Sequence, residues 1–172
     1  CLVLPGRASS TYVSLHGASG EMALAVNDME IVDELTPRRL AVHTALVRDA
    51  AALLLDCNLS QAALQWLFAQ PRNGPVFADA VSSIKADRLR PHLAQIHTLK
   101  VNRAEAEALC GMPVNSPGQA TAAADWFIAQ GVQTLALTMG GQGVCWRCAN
   151  GTALASRNAT NPSRVSPTAP LP

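Results

Sequence analysis

Ile96-His97-Thr98-Leu99-Lys100-Val101-Asn102-Arg103-Ala104-Glu105-Ala106-Glu107-Ala108-Leu109-Cys110-Gly111 reads as a buried strand running straight into a capped helix, and the fold class turns on it. Asn102 stands where a helix N-cap belongs, Glu105 lies three residues on, helix-forming Ala, Glu and Leu follow, and Gly111 supplies the stop. A parallel strand's carboxyl end meeting a helix's amino end is where open α/β sheets take ligands. Free N–H groups and the positive end of the helix dipole favour phosphate there, and Asn and Glu oxygens can hold a hard cation such as Mg²⁺ directly or through water. Asn-x-x-Glu is equally a capping box, whose two side chains satisfy backbone donors and stabilise the helix by about 0.5–2 kcal/mol. The pattern alone leaves both readings open.

Outward from this stretch the same unit repeats. Upstream, Ala51 to Leu55 predicts a short buried strand ending at Asp56-Cys57-Asn58, followed by a helix that Ser60 starts and Leu64, Leu67 and Phe68 anchor. Pro75 to Ala78 predicts a strand ending at Asp79, and Ala86 to Leu93 a helix. Downstream, Pro117 to Gln130 predicts a helix with Ala120, Ala123, Ala124, Phe127 and Ile128 facing inward, and Thr134 to Thr138 a strand. Strands alternating with helices mean βαβ units and a parallel sheet, so the expected fold class is α/β.

The flanks read differently. Thr11 to His16 and Glu21 to Asn27 alternate around the turn Gly17-Ala18-Ser19-Gly20, which predicts a β-hairpin. Thr36-Pro37 then opens a helix whose apolar face would be Leu40, Ala41, Thr44, Ala45 and Val47. After Thr138 comes Met139-Gly140-Gly141-Gln142-Gly143, then a further strand from Val144 to Arg147. These glycines would let backbone N–H groups approach a phosphate or nucleobase, and would equally suit a tight turn between two strands. Residues 156–172 have no hydrophobic period and four prolines, so a disordered tail is expected there.

Composition narrows the function. At 172 residues and 49% hydrophobic the chain is long enough for one domain with a real core, and 15% charged is too few for a disordered protein. The net charge of +1 comes with no basic run, so neither nucleic acid nor an anionic membrane is expected as partner, and a small soluble ligand fits better. No apolar run approaches the roughly 18 residues of a membrane span. Five cysteines in no framework spacing suit a reducing, cytoplasmic compartment. Cys145-Trp146-Arg147-Cys148 lacks the second ligand pair of a zinc site, and residues three apart in a strand point to opposite faces. The first residue is not Met, and the chain is read as a fragment.

The order of these pieces resembles the middle of a PfkB-family, ribokinase-like carbohydrate kinase over roughly residues 9–148. The stretches that carry it are Ser10 to Leu15, Gly20-Glu21-Met22 through Val26-Asn27-Asp28-Met29, Asp56-Cys57-Asn58, Val76-Phe77 with Asp79 and Val81-Ser82, Ile96 to Lys100 with Asn102 and Glu105, and Thr138 to Val144. Asn-Asp-Met and Ile-His-Thr-Leu-Lys are similar to the branch of the family that phosphorylates pseudouridine. The resemblance implies ATP-dependent phosphorylation of a primary hydroxyl on pseudouridine or a related sugar or nucleoside. Asn102 and Glu105 would organise Mg²⁺ and the ATP phosphates, and Thr138, Gly140 and Gly143 would line the nucleotide.

Family logic also makes residues 1–30 part of a β-lid over the sugar, with Thr11 and Asn27 as substrate contacts, and residues 31–155 part of the kinase core. Asp79 and Lys85 would face the same crevice from a strand end and the loop after it, or else serve as a turn cap and a solvated charge. A homodimer through the lid is expected. Relatives carry a Gly-Ala-Gly-Asp motif whose Asp deprotonates the acceptor; residues 149–172 contain neither that motif nor any Asp. The stretch by itself is therefore expected to be inactive, binding nucleotide weakly or pairing with another chain through its lid and sheet edge, with poor solubility alone.

Overall fold

The computed structural model of the chain describes residues 3–18, 22–149 and 151–155. The predicted hairpin forms from β1 (Thr11–His16) and β2 (Met22–Asp28), paired antiparallel from Thr11 opposite Asp28 to His16 opposite Met22. Val13 opposes Val26 and Leu15 opposes Leu24, so strand alternation gathers four aliphatic side chains on one face. All four are more than half exposed, at 55–65%.

The second sheet has six strands in sequence order: β3 (Leu53–Asp56), β4 (Val76–Asp79), β5 (Thr98–Asn102), β6 (Thr134–Thr138), β7 (Val144–Cys148) and β8 (Gly151–Ala155). The first four run parallel, and the last two are antiparallel additions. The helices between them are α1 (Pro37–Leu40), α2 (Thr44–Asp49), α3 (Gln61–Ala69), α4 (Ser83–Ala86), α5 (Arg103–Cys110) and α6 (Pro117–Ala129). The expected caps are in place, with Ser60 accepting from Ala63 N–H and Thr36 from Arg39 N–H, and Ser116 caps α6 in the same way by accepting from Gln119 N–H. Gly111 ends α5 in the left-handed region at φ 72°.

The sheet's two faces are unequal. Leu55, Ala78, Leu99, Val101, Leu135 and Leu137 are buried in one continuous core with Leu64, Phe68, Leu89, Leu109 and Phe127 from the helices. The strand neighbours that point the other way form two rows. Leu54, Phe77, Thr98 and Thr134 align in one, and Asp56, Asp79, Lys100, Ala136 and Trp146 in the next. None of these is buried, and Leu54 on the edge strand β3 is 76% exposed.

Three expectations are corrected, and one strand is added. Ala86 to Leu93 is not an α-helix: one α-turn, α4, passes into a 3₁₀ helix over Asp87–Gln95, because Pro91 has no N–H to donate and its ring obstructs the α-helical ladder. Of the face Leu40, Ala41, Thr44, Ala45 and Val47, only Val47 is buried. A 3₁₀ turn at Ala41–His43 between α1 and α2 rotates the residues out of register and breaks the stripe. β5 starts at Thr98 rather than Ile96, whose N–H closes the preceding turn on Leu93 C=O. β8 follows β7 as a strand the sequence pattern did not announce. The expected disordered tail, residues 156–172, lies outside the described residues.

Candidate functional site

Parallel strands in register bring their carboxyl ends to one edge of the sheet. Asp56 is paired with Asp79 across β3 and β4, Asp79 with Lys100 across β4 and β5, and Asn102 with Thr138 across β5 and β6. This edge is the crevice position of an open α/β sheet, and the N-termini of α3, α4 and α5 lie along it.

At one end of the crevice the Asn-x-x-Glu stretch forms a complete capping box. Asn102 N–H donates to Glu105 Oε2 at 2.8 Å, Asn102 Nδ2 to Glu105 Oε1 at 2.7 Å, and Glu105 N–H to Asn102 Oδ1 at 2.9 Å. Glu105 is only 1% exposed, so a carboxylate is held at the sheet mouth by a partner that fixes both of its oxygens. Beside it, the glycine segment closes the turn between antiparallel β6 and β7. Met139 N–H bonds Gly143 C=O at 2.8 Å, Gly143 N–H bonds Gly140 C=O at 3.1 Å, and Gly140 and Gly143 have φ of 59° and 96°. The turn geometry explains both glycines. A Cβ on Gly140 would meet no atom within 4 Å, which leaves open space over the turn next to Asn102 and Thr138.

The other end is a cavity of about 470 Å³ lined by Asn27 and Asp28 from the hairpin, Glu30 and Asp33 after it, and Asn58, Lys85 and Arg88 from the core. Its polar groups are ordered by one chain of bonds: Lys85 Nζ donates to Asn58 Oδ1 at 2.8 Å, and Asn58 donates from N–H and Nδ2 to the two oxygens of Asp56, each at 2.9 Å. Arg88 Nη1 holds the carbonyls of Cys57 and Leu59 at 2.9 and 2.8 Å, which fixes the loop that presents Asn58. Burial, and then the Asp56 charge, push the Cys57 thiol up to about 12. Cys57 is therefore a packed neutral thiol between two polar groups that face the crevice.

Between the two ends lies Asp79, whose Oδ1 accepts from Lys100 Nζ at 3.2 Å and from Val81 N–H at 2.9 Å. The structure thus brings Asn102, Glu105 and Thr138 together, with Gly140 and Gly143 beside them, and Asn27 together with Lys85. Thr11, by contrast, pairs with Asp28 at the base of the hairpin and does not line the cavity. Lys85 sits on α4 rather than in a loop. Arg88, Lys100 and the acids Glu30 and Asp33 were not singled out as site residues; Lys100 carried a signal, since it is two residues before Asn102 on the same strand face. Arg88 carried none, because its role depends on where the 3₁₀ helix sits. Cys145 is buried and Cys148 half-buried on opposite faces of β7, and no cluster of three or more potential metal-ligating His, Cys, Asp or Glu residues occurs among the described residues.

Parallel strands with polar side chains and helix starts at their carboxyl ends, together with a separate antiparallel hairpin, define a fold class, and comparison with known proteins assigns it. Residues 1–163 match the pfkB family carbohydrate kinase profile, and the chain belongs to this family. It is 43% identical over 144 residues to pseudouridine kinase of Escherichia coli strain K12, a match covering 84% of this chain and 46% of that protein. Among solved structures, a carbohydrate kinase from Agrobacterium tumefaciens superposes with a TM-score of 0.68 at 28% identity, covering 87% of this chain and 47% of the other. Ribokinase from Giardia lamblia superposes with a TM-score of 0.69 at 13% identity over 92% of this chain and 50% of the other, and shows the shared fold. The chain spans about half the length of these relatives. No helix among the described residues is long and apolar enough to cross a membrane.

Proposed function

We propose that the whole protein transfers the γ-phosphoryl group of ATP to a primary hydroxyl of a sugar or nucleoside, pseudouridine or a close relative, in the cytoplasm. The observation that carries this reading is the alignment of Asp56, Asp79, Asn102 and Thr138 at the ends of four adjacent parallel strands, with the hairpin's Asn27 reaching the same crevice. Phosphoryl transfer depends mostly on positioning and on stabilising charge, which a row of fixed polar groups supplies. Asn102 and Glu105 form a donor set of hard oxygens that fits Mg²⁺, since each carboxylate oxygen keeps a lone pair beyond its bond to Asn102. Mg²⁺ bound there would neutralise charge on the triphosphate. Gly140 borders the open space assigned to the nucleotide, with Thr138 and Gly143 in the same segment, while Asn27, Asn58 and Lys85 offer donors and acceptors to the hydroxyl-rich acceptor. Turnover is assigned to the whole protein and nucleotide binding to this chain.

Titration calorimetry of the chain with ATP tests the assignment. Binding is expected only with Mg²⁺ present. Asn102→Ser keeps a good N-cap while removing the amide, and is expected to weaken Mg²⁺-dependent binding about tenfold with the helix intact. Equal affinity with and without Mg²⁺, or in Asn102→Ser, would overturn it.

A pairing role has its own support in the four exposed aliphatics of the hairpin. A two-stranded hairpin is marginal alone, and burying its apolar face against a second copy would stabilise it. We assign that face to a homodimer contact. Leu24→Asp is expected to convert a dimer to a monomer in analytical ultracentrifugation, and a wild-type chain that sediments as a monomer at all concentrations would refute the contact.

A further inference from the structure

Val81 is the one non-glycine residue with positive φ among the described residues, at 64°. A β-branched side chain rarely occupies that region, because its Cβ crowds the backbone. Ser82 N–H bonds Ala80 C=O at 2.7 Å, so Val81 is the centre of a three-residue γ-turn of the strained, left-handed kind. Strain of this sort persists only where the surroundings hold it in place, and it gathers at functional sites.

The surroundings that hold it are the two halves of the crevice. On one side, Val81 N–H donates to Asp79 Oδ1, the same oxygen that takes Lys100 Nζ. Ala80, just before the turn, is fully buried, and its N–H bonds Lys100 C=O at 3.3 Å. On the other side, Ser82 caps α4 by accepting from Lys85 N–H at 3.3 Å, and Lys85 then reaches Asn58 in the cavity. Val81 is 39% exposed and forms no part of the cavity lining, so packing does not account for the conformation.

We propose that the γ-turn at Val81 is a positioning device that fixes the Asp79 carboxylate and the Lys85 ammonium relative to each other across the crevice. The inference deepens the kinase reading and rests on it for the ligands concerned. A stiff β-branched residue confines the turn to one geometry once it is formed, and glycine would let it wander. Val81 is a positioning residue: it lies outside the cavity lining and acts through Asp79 and Ser82.

Three variants of the chain separate this role from a merely structural one. In wild type and in Val81→Ile, the amide proton of residue 81 is expected to shift in nuclear magnetic resonance spectra as Asp79 titrates, because that carboxylate is its acceptor. In Val81→Gly the response should fall by half or more while the melting temperature stays at or above wild type, since glycine carries no strain at this φ. Asp79→Asn should abolish the response in all backgrounds. Mg²⁺-dependent ATP affinity should drop about tenfold in Val81→Gly and be restored in Val81→Ile. Failure of Val81→Gly to fold, or an undiminished titration response in it, overturns the positioning role. Failure of wild type to bind ATP instead overturns the kinase reading and leaves the resonance experiment to decide the turn.

Discussion

The two faces of the six-stranded sheet carry different chemistry on the same strands. One buries Leu99, Val101, Leu135 and Leu137 beneath α5, α6 and their neighbours; the other presents Asp79, Lys100, Phe77 and an edge leucine that is largely in water. Parallel sheets are ordinarily covered on both sides, and three successive leucines at Leu53–Leu55 are the composition of a strand covered on both sides, placed here at the edge. The difference teaches that packing among the described residues is concentrated on one side of the sheet, while the other side carries the polar row and an exposed edge leucine.

The largest expected effect is on the covered side. Phe127 is fully buried, packs edge-on against Trp126 at 5.0 Å, and on truncation to Ala should cost about 3–5 kcal/mol in urea unfolding. A cost under about 1 kcal/mol would erase the contrast between the faces. A middle-sized effect belongs to His92, buried between α3 and the 3₁₀ helix and stacked on Phe68 with ring centroids 4.3 Å apart. Its Nε2 is buried without a partner, and burial, then the Arg72 charge, hold its imidazole below the ordinary histidine range. The folded chain binds this proton less readily than the unfolded one. His92 therefore costs nothing above about pH 6.5 and lowers stability as pH falls below it, by at most about 1.4 kcal/mol per unit. His92→Leu should flatten that part of the profile, and an unchanged slope would refute the assignment. The smallest effect is on the open face: Leu54→Ser should leave unfolding within about 0.5 kcal/mol of wild type and reduce light scattering on concentration.

How much of this could be read in advance follows the same division. Strand alternation and caps at Ser60 and Asn102 were visible because they are local: a side chain satisfies a donor three residues away. Thr134 to Thr138 could be placed to the residue because its flanks, Gly131 and Met139-Gly140, interrupt the apolar pattern. The 3₁₀ segment around Pro91 was missed although the proline was in plain view, since apolar spacing alone does not distinguish a 3₁₀ turn from an α-turn. At the site, Asn102 and Glu105 are legible as a pair that suits either a capping box or a cation and phosphate site, and the structure shows the capping box formed. Arg88 pinning the Cys57 and Leu59 carbonyls was illegible, because it joins segments about 30 residues apart through tertiary placement alone. Val81 offered no signal either, as nothing in a sequence marks a valine forced to positive φ.

Cys57 has a practical consequence. Its sulfur lies in the loop between the two polar residues at the crevice, yet stays protonated throughout the physiological range. Peroxide and thiol-directed reagents attack the thiolate, so this residue should resist sulfenylation and alkylation while the native chain stays folded. Oxidative insult would thus spare the loop that presents Asn58, and slow labelling of Cys57 becomes a clock for how often that part of the chain opens.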